Sequence, residues 1–390
     1  MPSHERHGEQ IRYSLEKEMN EIYWATAIKT FAIELVGLYT PIFIFLYFEK
    51  SFVAVFIFFG AQFFFQTLLV PLAARLIGKL GIKKLMAIGG PFFGVYLICL
   101  SLAQTYGIIF IILALAAKVL YLVLFWPSRH IDFAKFASKK KRARQISMLS
   151  IINTLISAIA PLLGALMITA FGYATTFTIS AALLLLASVP LFFSPEIYES
   201  YSLTWRQSFL EPFKKRNLKT SIAFFFEGME YYTSLVLLSL FIYVVIGDLE
   251  IIGLITSITL IMTLVFTYFV GWISDRRGSR QIISFASVVH AFVWLICAFI
   301  TTPLQCLIYL NFFKFAETAN HLPFSSLFYK KAHKKRHNID EFIIYHEIAH
   351  NSGRVLMAII FIVGFSFGHT SFLLYFSIAA FAALMYRLIK

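Results

Sequence analysis

The sequence predicts an all-α membrane protein of twelve spanning helices, folded as two related six-helix bundles. Three observations carry that expectation. Hydrophobic residues make up 59% of the 390-residue chain and charged residues only 14%, with a mean hydropathy of +0.77, which excludes an ordinary soluble domain. Twelve apolar runs each approach the ~20 residues needed to cross a ~30 Å hydrocarbon core. Features also recur at an offset of 196 residues: Glu34 is matched by Glu230, Lys118 by Lys314, and Pro127 by Pro323. A repeat near half the chain length is most simply two copies of one membrane unit, residues 1–194 and 219–390, joined by a polar linker at 195–218.

Residues 1–20 are polar and contain no short apolar core with a cleavage site, so span 1 (22–48) is expected to act as its own uncleaved insertion signal. It carries Lys29 and Glu34 near its midpoint. Span 2 (51–77) runs into Ala74-Arg75-Leu76-Ile77-Gly78-Lys79-Leu80-Gly81-Ile82-Lys83-Lys84, and span 3 (85–104) comes next. Span 4 (107–128) holds Lys118 and closes in Trp126-Pro127-Ser128-Arg129-His130-Ile131-Asp132. The expected role of that stretch is a helix exit, with Trp126 at headgroup level and Pro127 tightening the turn. Gating by Arg129 and Asp132 is the alternative, and the basic residues beyond would anchor the loop on anionic lipid.

Spans 5 (146–171) and 6 (174–194) complete the first unit, and the linker carries Pro195, Pro212 and Lys214-Lys215-Arg216. Span 7 (219–246) contains Glu227 and Glu230. Span 8 (251–273) leads into Gly271-Trp272-Ile273-Ser274-Asp275-Arg276-Arg277-Gly278-Ser279-Arg280. Span 9 (281–301) precedes span 10 (304–327), which holds Lys314 and Glu317; spans 11 (342–367) and 12 (371–389) end the chain. Cys99, Cys297 and Cys306 are isolated within apolar spans and are expected to be small buried hydrophobes.

The formal net charge of +14 is placed by topology rather than on a nucleic-acid-binding face. Connections after the even-numbered spans hold twenty-four basic residues, whereas those after the odd-numbered spans hold only Lys50. By the positive-inside rule both termini and the even connections are cytoplasmic.

An ionised side chain at mid-bilayer costs at least ~2.5–3.5 kcal/mol, so a folded protein pairs it or places it in a cavity. Lys29, Glu34, Lys118, Glu227, Glu230, Lys314 and Glu317 are all such residues, in spans 1, 4, 7 and 10. Matched charges in both halves imply a central polar cavity between two bundles, the layout of a secondary transporter. The alternative is that they form buried ion pairs that fix helix register, as Lys314 and Glu317 could at i,i+3 spacing. Glu227 and Glu230 share one helical face, and two neighbouring carboxylates in a poorly hydrated cavity cannot both ionise cheaply. Such a carboxylate suits proton coupling, with Glu230 the first candidate and Glu34 the second. Three lysines against four glutamates favour neither sign of solute charge.

One motif points to another class of function. His346-Glu347-Ile348-Ala349-His350 matches the H-E-x-x-H pattern of zinc proteases, with both histidines on one helical face. A zinc protease also needs a third ligand and an open position for water, and the sequence offers neither. No metal site is therefore expected, and Arg354 is expected to pair with Glu347 or with loop acids.

The stretches around Gly81 and Gly278 occupy matching places after the second span of each half. Each supplies a glycine for a tight turn and cations for the cytoplasmic surface. On these loops, the twelve spans, the 6+6 repeat and the basic central linker, the chain resembles the major facilitator superfamily over essentially its whole length. The family pattern, roughly Gly-x-x-x-Asp-Arg-x-Gly-Arg-Lys, is better kept in the second copy, as Gly271, Asp275, Arg276, Gly278 and Arg280. The first copy has Ala74 and Gly78 where Gly and Asp are usual. The resemblance implies that these loops latch the cytoplasmic side when the carrier is open outward, with Asp275 near Gln145. It also implies that the first and fourth helices of each half line the path, which are the four charged spans.

The expected function is that of a secondary active carrier of a small solute working by alternating access, with proton coupling preferred over facilitative uniport or efflux. The rival classes are an intramembrane zinc metalloprotease and a non-transporting receptor or scaffold. The expected partners are a small molecule, a proton and the bilayer, with neither cofactor nor nucleic acid. A monomer in the cell membrane is the expected form.

Overall fold

The computed structural model describes residues 27–136, 140–189, 198, 201–334 and 338–389, with the backbone only for 135–136, 140–154, 275 and 334. The polar stretch 1–20 lies outside the described residues. All regular elements among the described residues are helices. Nine of the helical stretches are long and apolar enough to cross a membrane by length and composition.

The first half comprises α1 (Ala27–Tyr47), α2 (Phe52–Leu80), α3 (Ile82–Tyr106) and α4 (Ile108–Phe136). A continuous helical run, Lys140–Ser188, then spans 49 residues, which at 1.5 Å per residue is ~73 Å and more than twice the hydrocarbon thickness. Gly172, at φ 79° and ψ 167°, breaks it into α5 (140–171) and α6 (173–188). The linker contributes a short helix, Trp205–Leu210, started by a capping box in which the Thr204 hydroxyl accepts from the Gln207 amide and the Gln207 side chain reaches back.

The second half repeats the order: α7 (Leu218–Ile246), α8 (Leu249–Arg277), α9 (Ser279–Cys297), α10 (Pro303–Lys334), α11 (Ile339–Ser366) and α12 (Phe372–Leu388). Packing repeats with it. α2 lies on α4 as α8 does on α10, and α3 packs on α4 as α9 does on α10. The halves meet where α2 runs along α11 and α5 along α8.

Four of the even-numbered helices, α2, α4, α8 and α10, overrun the apolar core. α2, α4 and α8 each have 29 residues and α10 has 32, or ~43–48 Å. The excess turns carry the basic residues of the connections and mark the basic end of the molecule. The helix exit expected at Pro127 is therefore not observed. α4 continues through Pro127 to Phe136, Trp126 lines the interior, and the Ser128 hydroxyl donates to the Leu124 carbonyl at 2.8 Å; proline within a helix is tolerated in membranes. Large apolar side chains on the outer faces, among them Phe285 and Phe292 on α9 and Ile308 and Phe312 on α10, are exposed as a hydrocarbon environment requires. All three cysteines are free and buried.

Candidate functional site

Two glycines decide where the polar groups of the second half meet. A Cβ added at Gly228 on α7 would overlap the His350 carbonyl oxygen, and one at Gly353 on α11 would overlap the Phe225 carbonyl oxygen. The two backbones therefore touch, as small residues allow between membrane helices. That contact sets Glu227 of α7 against one face of α11. Its Oε2 lies 3.6 Å from His346 Nε2, while Oε1 lies 3.3 Å from His321 Nε2 on α10. Ligand-capable atoms of Glu227, His346 and His350 all fall within 4.8 Å of one another. Just past this turn α7 widens into a π-helical stretch, Thr233–Leu238, a feature that often accompanies functional sites.

A second layer surrounds Glu347. Its Oε2 accepts from Gln66 Nε2 of α2 and from Asn351 Nδ2, each at 3.2 Å. Its Oε1 stands 3.8 Å from both His130 Nε2 and His346 Nδ1. His130 Nδ1 shares a hydrogen bond of 2.9 Å with the Tyr329 hydroxyl. Arg354 does not pair with Glu347 directly. It donates to Asn351 Oδ1 at 2.8 Å and stacks between the Phe63 and Tyr231 rings, 4.6 and 4.3 Å from their centroids.

The first half offers cations on aromatic surfaces. Tyr96, Phe93, Tyr121 and Phe125 form a near-parallel stack with centroid steps of 5.6, 4.8 and 5.2 Å. Lys118 Nζ sits 3.6 Å from the Phe93 centroid and 4.9 Å from that of Tyr96, and Lys29 Nζ sits 3.0 Å from that of Phe125. Cation–π attraction of this kind, ~2 kcal/mol or more where desolvated, holds a buried lysine without a carboxylate.

Between these two arrays lies a cavity of about 380 Å³ bordered by residues of both halves, including Gln62, Lys118, Trp126, Glu227, His321 and Arg354. Contacts between the halves occur on either side of it. Towards the basic end Phe133 of α4 meets Tyr329 of α10 at 4.6 Å. Towards the opposite end the ring of Phe45 of α1 faces Tyr243 of α7 with centroids 6.3 Å apart, and Phe52 of α2 packs at a tilt on Phe365 of α11 with centroids 4.9 Å apart.

A model of the major facilitator superfamily matches residues 22–339. The chain belongs to the major facilitator superfamily. Its solved structural neighbours agree in fold. An auto-inhibited peptide transporter of the POT family superposes with a TM-score of 0.74 at 10% identity, covering 95% of both chains. A mutant of the nucleoside transporter NupG superposes at 0.71 with 13% identity, covering 95% of this chain and 98% of that one. A POT family transporter in complex with 5-aminolevulinic acid superposes at 0.68 with 10% identity, covering 96% and 95%. No curated protein matches the sequence. The chain is a multi-pass membrane transporter and not an enzyme.

Within this superfamily fold the residues singled out from sequence separate into three groups. Lys118 and Glu227 border the cavity. Glu230, only 2% exposed, points into its own bundle, where it accepts from Trp294 Nε1 at 3.1 Å and the Tyr386 hydroxyl at 2.9 Å, with His290 Nε2 3.6 Å away. Lys314 and Glu317 pair on α10 at 2.6 Å, and Glu34 is half-buried on α1.

The loop residues form the third group. Gly81 and Gly278 have φ of 88° and 83°, and each amide donates to the carbonyl four residues back, Ile77 at 2.9 Å and Ser274 at 3.0 Å. The two turns are thus one device used twice. In the first half Lys83 closes onto Asp132 at 2.6 Å, a clasp between the start of α3 and the end of α4. In the second half Arg276 stacks 3.9 Å over Trp272, Arg280 is exposed and Gly271 faces open space. Arg129 lies 5.1 Å over Trp126. The apposition expected between Asp275 and Gln145 lies outside the described side chains.

Sequence reasoning placed His130 only in a helix exit, did not name His321, and singled out His346 and His350 only to set the pair aside. His321 was within reach: with Lys314 and Glu317 it completes an i, i+3, i+7 stripe on α10.

Proposed function

We propose that the chain is a proton-coupled secondary carrier that moves a small polar solute through the central cavity by alternating access. The observation that carries this reading is the cavity wall, where Lys118 of one half faces the Glu227–His321 pair of the other. A buried charge of each sign on opposite moving bodies gives a solute contacts to both halves, so binding favours the closed arrangement. A volume of about 380 Å³ sits at the low end for small-molecule sites, which suits a compact metabolite. The nucleosides, peptides and 5-aminolevulinic acid named for the neighbours mark polar solutes as the first class to try.

In this reading residues 1–194 and 219–390 are the moving bodies and 195–218 the tether. The Lys83–Asp132 clasp and the Gly278 loop act as cytoplasmic latches. Lys29, Glu34, Lys314 and Glu317 shape the field around the path. Both termini are cytoplasmic, and the protein works as a monomer in the cell membrane. The proton resides on Glu230 of α7, with Glu34 of α1 the second candidate.

The test begins with a thermal-stability screen of nucleosides, short peptides and amino acids, since a ligand that binds only the folded protein raises its apparent stability. The solute found is then followed in proteoliposomes carrying an imposed pH gradient. Glu230→Gln should abolish accumulation against a gradient while sparing solute exchange, and Glu34→Gln should act in the same sense more weakly. Undiminished uphill accumulation in the doubly substituted protein would remove these carboxylates as the proton site.

A further inference from the structure

Spacing along one helix offers a metal two histidines and no third ligand, and the fold supplies the third. Glu227 comes from α7, more than a hundred residues before the His346–His350 pair, and the Gly228 and Gly353 contacts press it against that pair. We propose that Glu227, His346 and His350 form a binding site for a divalent transition-metal ion of the zinc, cobalt or nickel class, reached from the transport cavity.

Donor chemistry comes first. Two imidazoles and one carboxylate suit borderline divalent ions, and three protein ligands leave a coordination position for water or solute. With metal–ligand bonds of ~2.0–2.2 Å, neighbouring donors around a tetrahedral ion lie roughly 3.3 Å apart. Glu227 Oε2 and His346 Nε2 are already at 3.6 Å, and the set as a whole lies within 4.8 Å. Modest side-chain rotation closes the remainder.

Unsatisfied atoms point the same way. Glu227 Oε2, His346 Nδ1 and His350 Nε2 are buried with no hydrogen-bond partner among the described residues. The three side chains are 5%, 7% and 8% exposed. Each such group is destabilising while unpaired. A proton on one imidazole satisfies one contact to Glu227 and leaves the other imidazole turned towards like groups. A divalent ion held by Glu227 Oε2, His346 Nε2 and His350 satisfies Glu227 Oε2 and His350 Nε2 together, while His346 Nδ1 stays turned towards Glu347.

The outer layer is also built for metal ligands, which are commonly oriented by further carboxylates and histidines. His321 Nε2 stands 3.3 Å from the outer oxygen of Glu227. Glu347 faces His346 Nδ1 at 3.8 Å and is itself held by Gln66 and Asn351. Arg354 is turned away, onto Asn351 and two aromatic rings. In the zinc-protease pattern the glutamate activates water. Here Glu347 is engaged by amides, so the motif serves binding without hydrolysis.

The proposal rests on the transporter reading only in placing the ion on the solute path, and its test needs no transport. Chelator-stripped full-length protein in detergent is titrated with Co²⁺ and followed by the visible bands of four- or five-coordinate cobalt, with Zn²⁺ competition as confirmation. One Co²⁺ per chain is expected, displaced by Zn²⁺. Glu227→Gln and His350→Ala should each weaken binding at least tenfold, whereas His333→Ala, outside the cluster, should not. His346→Gln provides a second, milder variant should His350→Ala fail to fold. Absence of saturable cobalt bands in the parent, or binding that persists in the His346→Gln, Glu227→Gln double variant, overturns the proposal. Solute uptake in matched proteoliposomes without added metal separates the two readings. Cobalt binding without any solute transport would remove the carrier reading and leave the metal site standing.

Discussion

The two halves share one backbone plan and differ in the chemistry they bury. In the first half two half-buried lysines, Lys29 and Lys118, rest on the Tyr96–Phe93–Tyr121–Phe125 stack, with Glu34 apart from them on α1. In the second the buried groups are glutamates and histidines, linked through Glu227, Glu347 and Glu230 to rings, amides and hydroxyls. An ammonium group on an aromatic stack offers hydrogen-bond donors to whatever enters the cavity. A carboxylate among imidazoles can exchange protons or hold a cation. The shared backbone plan thus presents two walls of different chemistry, lysine on aromatic rings in one and carboxylates with imidazoles in the other.

That comparison breaks most sharply at the helix contacts that build the second wall. Gly353→Leu should collapse the α7–α11 contact, because its side chain has nowhere to go but the Phe225 backbone. The expected loss is ~4–5 kcal/mol or more, the range of severe core lesions, seen as loss of a monodisperse peak in size-exclusion chromatography. Gly271→Ala, where the added methyl meets open space, should shift stability by no more than about 0.5 kcal/mol. Equal tolerance at both positions would mean that α7 and α11 do not touch as described.

A smaller effect sharpens the first wall. Lys118 borders the cavity and Lys29 does not. Lys118→Met should weaken the apparent affinity for the transported solute about tenfold, since a hydrogen bond to a charged group is worth roughly 1.5–3 kcal/mol. Lys29→Met should change it by less than about threefold, reflecting only a field effect at longer range. The reverse order, measured by concentration dependence of uptake, would place the solute deeper in the first bundle than Lys118 allows.

Fold and site were legible to different depths. Hydropathy, the basic-residue asymmetry and the 196-residue offset outline the helices because each is a local or periodic property. Even the breaks at Gly81, Gly172 and Gly278 fall near the expected boundaries, since positive φ at these positions favours glycine. The exit at Pro127 fails because membrane helices tolerate proline within a continuous run, so the residue alone does not mark a helix end. The Glu227–His346–His350 cluster could not be read at all, because it depends on the side chains α7 and α11 present once their glycines interlock. Spacing within one helix shows the histidine pair; only the contact between helices supplies the acid. Glu230 teaches the same point. It shares a helical face with Glu227 in sequence, yet a shift of three residues is enough to turn it from the cavity to Trp294 and Tyr386.

Alternating access requires the two halves to move against each other around the cavity. The ring centroids of Phe133 of α4 and Tyr329 of α10 lie 4.6 Å apart across the halves, so cysteines at these positions, in a background lacking Cys99, Cys297 and Cys306, are the pair to bridge with a reducible cross-linker long enough to replace the two rings. Solute uptake into proteoliposomes should fall to background when the bridge forms and return on reduction, while each single-cysteine protein remains active under the same treatment. Uptake at the unbridged rate through a fully cross-linked protein would contradict alternating access between these halves.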